Sequence, residues 1–478
     1  WIYCDSGKRH AMAKGSADRG IRGKRSRMSE ESSQKAKSEQ TDFLHHLFVP
    51  VYMPAILFAT GEGSLIPIVP LTAKALGANL ATAGIISGLL MIGVVLGDVP
   101  SGFIVNKWGE TVAMRIAAVL AIVSAIFCWH APNLAVLAAG VLIIGIASAT
   151  FNLARHAFLT AWTPPWYRAR AMSLLGGTTR IGYFVGPFIA SPLIALAGSR
   201  SVYWIHVAAC IIVLVVLQVT PDPEKLLAAN RTRAERRRGG KSMNAAVPSS
   251  ARRIGISHVT SQGVIESAGA EGGISESSAF MTRLLRFPLI RYFTVLCRMG
   301  TAAGILQMMR ASRQVILPLW GVQLNISAPH IALIMGVAGA VDLSLFYTSG
   351  QIMDRFGRRW AAVPVLVGIS IGHLLMPFAQ AEWTYVCIAI LISVANGLGS
   401  GIVMTLGADL ASRYAPDNMP GFLSGWRMST DSGSAIGPLA ISGMTALTGL
   451  WSAAVLMGSI GLVGAFMMQR FIPRFIGK

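Results

Sequence analysis

Apolar residues in this chain fall in long blocks separated by short polar stretches, and Ile116–Phe127, Leu134–Ile146 and Ala453–Met468 are three of them. A hydrocarbon layer of ~30 Å takes roughly 20 residues of helix to cross. Only a helix or a closed barrel satisfies its own backbone there. The pattern predicts an all-α membrane protein of twelve helices, near 45–75, 81–105, 112–130, 134–161, 172–196 and 202–219, then 291–323, 329–349, 361–379, 384–411, 422–446 and 451–469. Connections such as Ala131-Pro132-Asn133 and Thr448-Gly449-Leu450 force neighbouring helices into antiparallel hairpins. Between the sixth and seventh spans, residues 220–288 are rich in Ser, Gly, Ala and Arg and show no helical period, as a disordered linker does. The expected organisation is therefore a tail (1–44), a six-helix half (45–219), a linker (220–288), a second half (289–469) and a tail (470–478). Met28, followed by a polar run, reads as a start, which makes residues 1–27 an upstream extension.

The two halves repeat each other. Gly102-x-x-x-Asn106-Lys107-x-Gly109 returns as Gly350-x-x-x-Asp354-Arg355-x-Gly357-Arg358, and Gly182-x-x-x-Gly186-Pro187 returns as Gly433-x-x-x-Gly437-Pro438. The offsets are 248 and 251 positions, so the halves are diverged copies of one unit. Two copied membrane halves imply a pseudo-symmetric bundle with a site between them.

Composition agrees with the pattern. Hydrophobic residues make up 53% and charged residues 13%, against about 25% charged in an ordinary soluble domain. The net charge of +20 invites a nucleic-acid reading, as does the basic run 231–241. The positions of the charges exclude it. They sit in the tails, the linker and alternate connections, including Lys107, Arg168, Arg170, Arg355–Arg359 and Arg413, with Lys74 and Arg200 as exceptions on the other face. That is the positive-inside distribution. It places both termini in the cytoplasm. Five cysteines without a CxxC pair, and His45-His46 without further ligands, point to no disulfide framework, metal or cofactor.

With these motifs in view the chain resembles the major facilitator superfamily over its whole membrane portion. The resemblance rests first on Gly350, Asp354, Arg355, Gly357 and Arg358 between spans 8 and 9, and on Gly102, Asn106, Lys107 and Gly109 between spans 2 and 3. It implies alternating access, with these loops latching the cytoplasmic gate. Glycines there permit a tight turn and close helix contact. Asn106 stands where the family usually has Asp, and a neutral amide holds more weakly. Gly182, Gly186 and Pro187 look like the core of the motif of proton-coupled antiporters, although Ala190-Ser191 stands where a Gly-Gly is usual. Its recurrence as Gly433, Gly437 and Pro438 equally fits plain helix packing. Short loops and a bare outer face, together with the family resemblance the motifs carry, imply a plasma membrane, in particular a bacterial inner membrane.

An ionisable side chain within a span costs at least ~2.5–3.5 kcal/mol, so each one has a reason to be there. Glu62 is the only acid of span 1, and Gly61 and Gly63 on either side are expected to leave it accessible. Arg310, 248 positions on, is its equivalent in span 7, with Arg313 one turn further. The resemblance places spans 1 and 7 face to face, so Glu62 is expected to pair with Arg310 when the halves approach. Arg180 and Asp431 are equivalent in spans 5 and 11, with Arg427 as an alternative local partner for Asp431. Arg180, Asp431 and Asp342 join Glu62, Arg310 and Arg313 as candidate proton or substrate residues, and Arg155, Asp98 and Asp409 complete the set. Static ion pairs that lock helices or the cytoplasmic gate are the alternative for Arg155, Arg180, Asp342, Asp409 and Asp431, and above all for Asp98. Trp320, Tyr183, Phe184, Tyr347 and Trp426 either line an apolar cavity or pack the core.

The resulting expectation is a secondary transporter exporting a small organic or amphipathic solute in exchange for protons, with Glu62 as the proton site and Arg310 or Arg313 tuning it. An importer or facilitator of an organic anion on the same fold is the alternative, with Arg310 and Arg313 as anion receptors. A membrane-embedded sensor signalling through the linker is a further one. No Ser/His/Asp, Cys/His or metal constellation points to an enzyme. The partners expected are a small molecule, protons and the bilayer, with no nucleic acid, and the chain is taken as a monomer.

Overall fold

Among the described residues the fold is all helical, and its long helices make twelve membrane passes. The computed structural model describes residues 48–163, 168–219, 292–416 and 419–472; the expected N-terminal tail, the start of span 1, the linker and all but 470–472 of the expected C-terminal tail lie outside the described residues. The first half holds α1 (Met53–Ala75), α2 (Leu80–Trp108), α3 (Glu110–Trp129), α4 (Leu134–Trp162), α5 (Arg168–Ala197) and α6 (Tyr203–Val219). The second holds α7 (Thr301–Gln323), α8 (Ala328–Ser344 continued by Phe346–Phe356), α9 (Arg358–Leu375), α10 (Glu382–Tyr414), α11 (Met419–Thr448) and α12 (Leu450–Phe471). Nine of these are by themselves long and apolar enough to cross a bilayer. The others are α8, whose apolar part is short, and α7 and α11, whose interiors carry the polar residues singled out above.

Local chemistry sets the boundaries. Asn79 and Asn133 begin α2 and α4 by accepting the backbone N–H of Thr82 and Val136 at 2.8 and 3.0 Å, which satisfies donors a helix start leaves free. Pro67 interrupts α1, because it has no N–H for the helical ladder. The repeat extends to the backbone. Phe48–Tyr52 and Leu296–Gly300 are π-type turns leading into α1 and α7, again 248 positions apart. Gly109 and Gly357 end α2 and α8 with φ of 81° and 93°, a left-handed geometry that glycine adopts at no steric cost.

Those two residues correct the expectation for the signature segments. The tight turn is made by Gly109 and Gly357 alone. Gly102 and Gly350 lie inside helices, and a Cβ built on either meets nothing within 4 Å, so neither serves close helix contact here.

Small residues do serve it elsewhere. A Cβ on Gly182 would run into Ala59 and Thr60 of α1, and one on Gly186 into the backbone of Thr60, Gly63 and Ser64. The second copy acts alike: Gly433 sits on Gly304 and Gly437 on Met308 and Ser312 of α7. Both copies of the motif thus hold a cavity-lining helix against its neighbour, the role small-xxx-small faces play in lipid.

The halves meet through α5 against α8 and α2 against α11. Those contacts gather at the face opposite the signature turns, where Gly84 and Gly88 abut Ser442 and Pro438, Gly336 and Gly339 abut Phe188 and Phe184, and Ser191 donates to Pro329 O at 2.9 Å. Lys74 completes the closure by donating to Val322 O, at the carbonyl end of α7, at 3.3 Å. A cation is favoured at a helix C-terminus, and at an exposed site such a contact contributes about 0.5–1 kcal/mol. Lys74→Met is therefore expected to shift the open-to-closed ratio at this face about two- to fivefold. Spin labels at positions 78 and 327 would read it as a larger long-distance population; an unchanged distribution would exclude a latching role.

Candidate functional site

Two clusters of buried charge stand inside the bundle. The first surrounds Glu62, which is 5% exposed. Its carboxyl group faces Ser148 and Arg155 of α4 and Tyr183 of α5. Arg155 in turn donates to Thr179 Oγ1 of α5 at 3.0 Å, so α1, α4 and α5 are joined by polar contacts within the first half. Contrary to the expectation from sequence, the flanking glycines do not leave Glu62 accessible. Gly61 lies against the His206 ring and Gly63 against the Tyr183 backbone, so both serve close packing.

The second cluster bridges the halves. Asp342 of α8 accepts from Arg180 of α5 at 2.6 Å and from Asn396 Nδ2 of α10 at 2.8 Å, and Arg313 of α7 approaches its other side at 3.6 Å. Arg313 also donates to Ser393 Oγ at 3.3 Å. Beside them lies a cavity of about 50 Å³, lined by Arg180, Tyr183, Arg313, Gln314 and Asp342 together with apolar residues such as Met335 and Leu317. Tyr183 belongs to both places, facing Glu62 and lining this cavity.

The expected pairings are corrected accordingly. Glu62 and Arg310 do not pair: Arg310 donates to Gly399 O at 2.7 Å and to Gln307 Oε1 at 3.2 Å. Its target is the carbonyl end of the first segment of α10, which breaks before Gly401 at φ 77°. Such breaks leave carbonyls that a cation satisfies. Arg180 and Asp431 do not pair either, since Arg180 is held by Asp342. Asp431 has its local alternative, Arg427, at 3.9 Å, and Arg427 also reaches Asp98 of α2 at 4.0 Å, a contact between halves.

The signature residues Asn106 and Lys107 are exposed, and Lys107 lies over the Trp108 ring at 5.3 Å. Arg358 pairs with Asp409 of α10 at 2.8 Å, and Arg355 lies over Phe356 at 5.9 Å. The side chains of Asp354 and Tyr347 are outside the described residues. Trp320 and Trp426 are core residues, each donating its indole N–H to a backbone carbonyl, of Ala379 and Val403, at 3.1 Å. Phe184 packs edge-on against Phe188. Sequence reasoning missed Gln314, Asn396 and Ser148, although a polar side chain inside an apolar span carries the same signal as a charged one, only weaker.

The sequence profile described as Major Facilitator Superfamily matches residues 52–309 and 299–474. The chain belongs to that superfamily and is a multi-pass membrane transporter. Among curated proteins it is similar to probable anion transporter 6 of Oryza sativa, 26% identical over 27% of this chain and 31% of that one. It is also similar to the glucose transporter GlcP of Staphylococcus epidermidis, 25% identical over 39% and 42%, and to the galactose-proton symporter of Escherichia coli, 23% identical over 37% and 39%. The matched part spans about a third to two-fifths of these relatives' length. The fold matches the partially occluded inward-open structure of the xylose transporter XylE from E. coli, with a TM-score of 0.62, 14% identity and coverage of 90% and 99%. A POT family transporter in complex with 5-aminolevulinic acid matches with a TM-score of 0.65, 13% identity and coverage of 90% and 96%.

Proposed function

We propose that this transporter carries a small organic anion, bearing a carboxylate or a phosphate ester, together with protons. The observation that supports it is the charge balance at the cavity: Arg180, Arg313 and, behind them, Arg310 stand against one carboxylate, Asp342. Planar guanidiniums suit carboxylate and phosphate oxygens, and an excess of buried cation is costly until an anion compensates it. Glu62 is the proton site, and Tyr183 conveys its state to the cavity. The proton symporter and the probable anion transporters among the relatives support the same reading.

The export reading loses its main support, because the motif associated with antiporters packs α5 and α11 in the same way and carries no direction. The signature face is cytoplasmic in this proposal, so the structure is closed to the outside, and the protein resides in a bounding membrane such as a bacterial inner membrane.

The test uses purified protein in liposomes under an inward proton gradient. The panel offered is carboxylates, phosphate monoesters, neutral sugars and lipophilic cations. An anion is expected to drive proton entry. Arg313→Gln is expected to raise its half-saturating concentration at least ~10-fold, the equivalent of a lost charged hydrogen bond of ~1.5–3 kcal/mol. Proton movement elicited by lipophilic cations alone, and surviving that substitution, would restore the exporter.

A further inference from the structure

We infer that Asp342 is a tethered counter-anion: in the unloaded carrier it takes the substrate's place on Arg180 and Arg313, and so allows the protein to reorient empty. The inference rests on the anion reading above. The two guanidiniums belong to different halves, Arg180 to α5 of the first and Arg313 to α7 of the second. Any state that brings the halves together brings these charges together, in a region where neither is well hydrated, their side chains being 18% and 14% exposed. Without a carboxylate between them that approach is repulsive and desolvated.

Asp342, its own side chain 11% exposed, supplies the carboxylate from the protein. It is placed to yield as well as to bind. It grips Arg180 through Oδ1 at 2.6 Å, whereas Arg313 stands 3.6 Å from Oδ2, so the contact to Arg313 is the looser of the two. Asn396 Nδ2 holds Oδ2 at 2.8 Å, a second partner that remains when an incoming anion takes the arginines.

A carrier with such an internal anion can return empty and so accumulate substrate. One without it crosses only when loaded, which makes it an exchanger. Asp342 therefore sets the mode of transport, net movement against exchange, and the readout is a ratio rather than a rate.

The test is radiolabelled lactate, succinate and glycerol 3-phosphate with the full chain in liposomes, comparing net uptake with counterflow from preloaded vesicles. Asp342→Asn is expected to lower the ratio of net uptake to counterflow at least tenfold. Arg180→Gln combined with Asp342→Asn restores the wild-type charge of the cluster and is expected to bring the ratio back to within about twofold of wild type. An unchanged ratio in Asp342→Asn, or a ratio that stays low in the double variant, would overturn the inference. If Asp342→Asn fails to fold, Asp342→Ser, which also removes the charge, is read in its place against the same two outcomes. Absence of anion counterflow in the wild type would instead overturn the anion reading, and this inference with it.

Discussion

Glu62→Gln is expected to abolish accumulation driven by a pH gradient while anions still move downhill. One pH unit supplies ~1.4 kcal/mol per proton, so coupling one proton to one anion sustains about tenfold accumulation. In the variant that ratio should fall to about one, because glutamine keeps the shape of the side chain and cannot carry the proton. The substitution also leaves Arg155 without the carboxylate it faces, and stranding one partner of a buried pair costs about 3–5 kcal/mol. A loss of activity alone would therefore prove little. Glu62→Gln combined with Arg155→Gln removes both charges and should recover stability without recovering accumulation. Thermal unfolding in detergent together with steady-state accumulation separates the two effects. Persisting tenfold accumulation in either variant would remove Glu62 from the proton path.

The contrast between the two clusters shows what a sequence can carry. The architecture was legible because hydropathy and the repeat act over whole helices, and a helix in lipid has few alternatives. The two π-type turns and the paired turn glycines follow the same offsets. That Glu62, Arg180, Arg313 and Asp342 stand apart was legible too, since each violates its apolar surroundings. Their partners were not. Symmetry suggested Glu62 with Arg310 and Arg180 with Asp431, but equivalent positions in two copies need not touch. Which residues meet depends on how the helices are rotated about their axes and on how far the halves have closed. Arg180 reaches Asp342 because α5 crosses α8 beside the cavity, and Arg310 is drawn off by a break in α10 that only backbone geometry reveals. Glycines misled in both directions: a Cβ on Gly102 or Gly350 would meet nothing, whereas Gly61 and Gly63, read as giving access, are tightly packed.

That uneven use of glycine leads to the second large effect. Gly186→Leu is expected to destabilise the protein by about 3 kcal/mol or more, at or beyond the upper end for overpacking, because its Cβ would meet backbone rather than flexible side chains. The Ser64 nitrogen would lie 2.6 Å away and the Gly63 carbonyl carbon 3.0 Å away. Backbone cannot rotate out of reach, so α5 must move off α1 at the level of Glu62, and transport should fall with stability. Gly176→Leu, ten residues earlier on the same helix, is the control: nothing lies within 4 Å of its Cβ, and its effect should stay within ~0.5 kcal/mol. Gly437→Leu should reproduce the Gly186 result in the second half, where Met308 O would obstruct the Cβ. Tryptophan fluorescence during thermal unfolding in detergent compares the three. A stable, folded Gly186→Leu that had lost only its coupling to protons would mean the motif does more than pack helices. The antiporter reading would then regain the support that the repeat in α11 took from it.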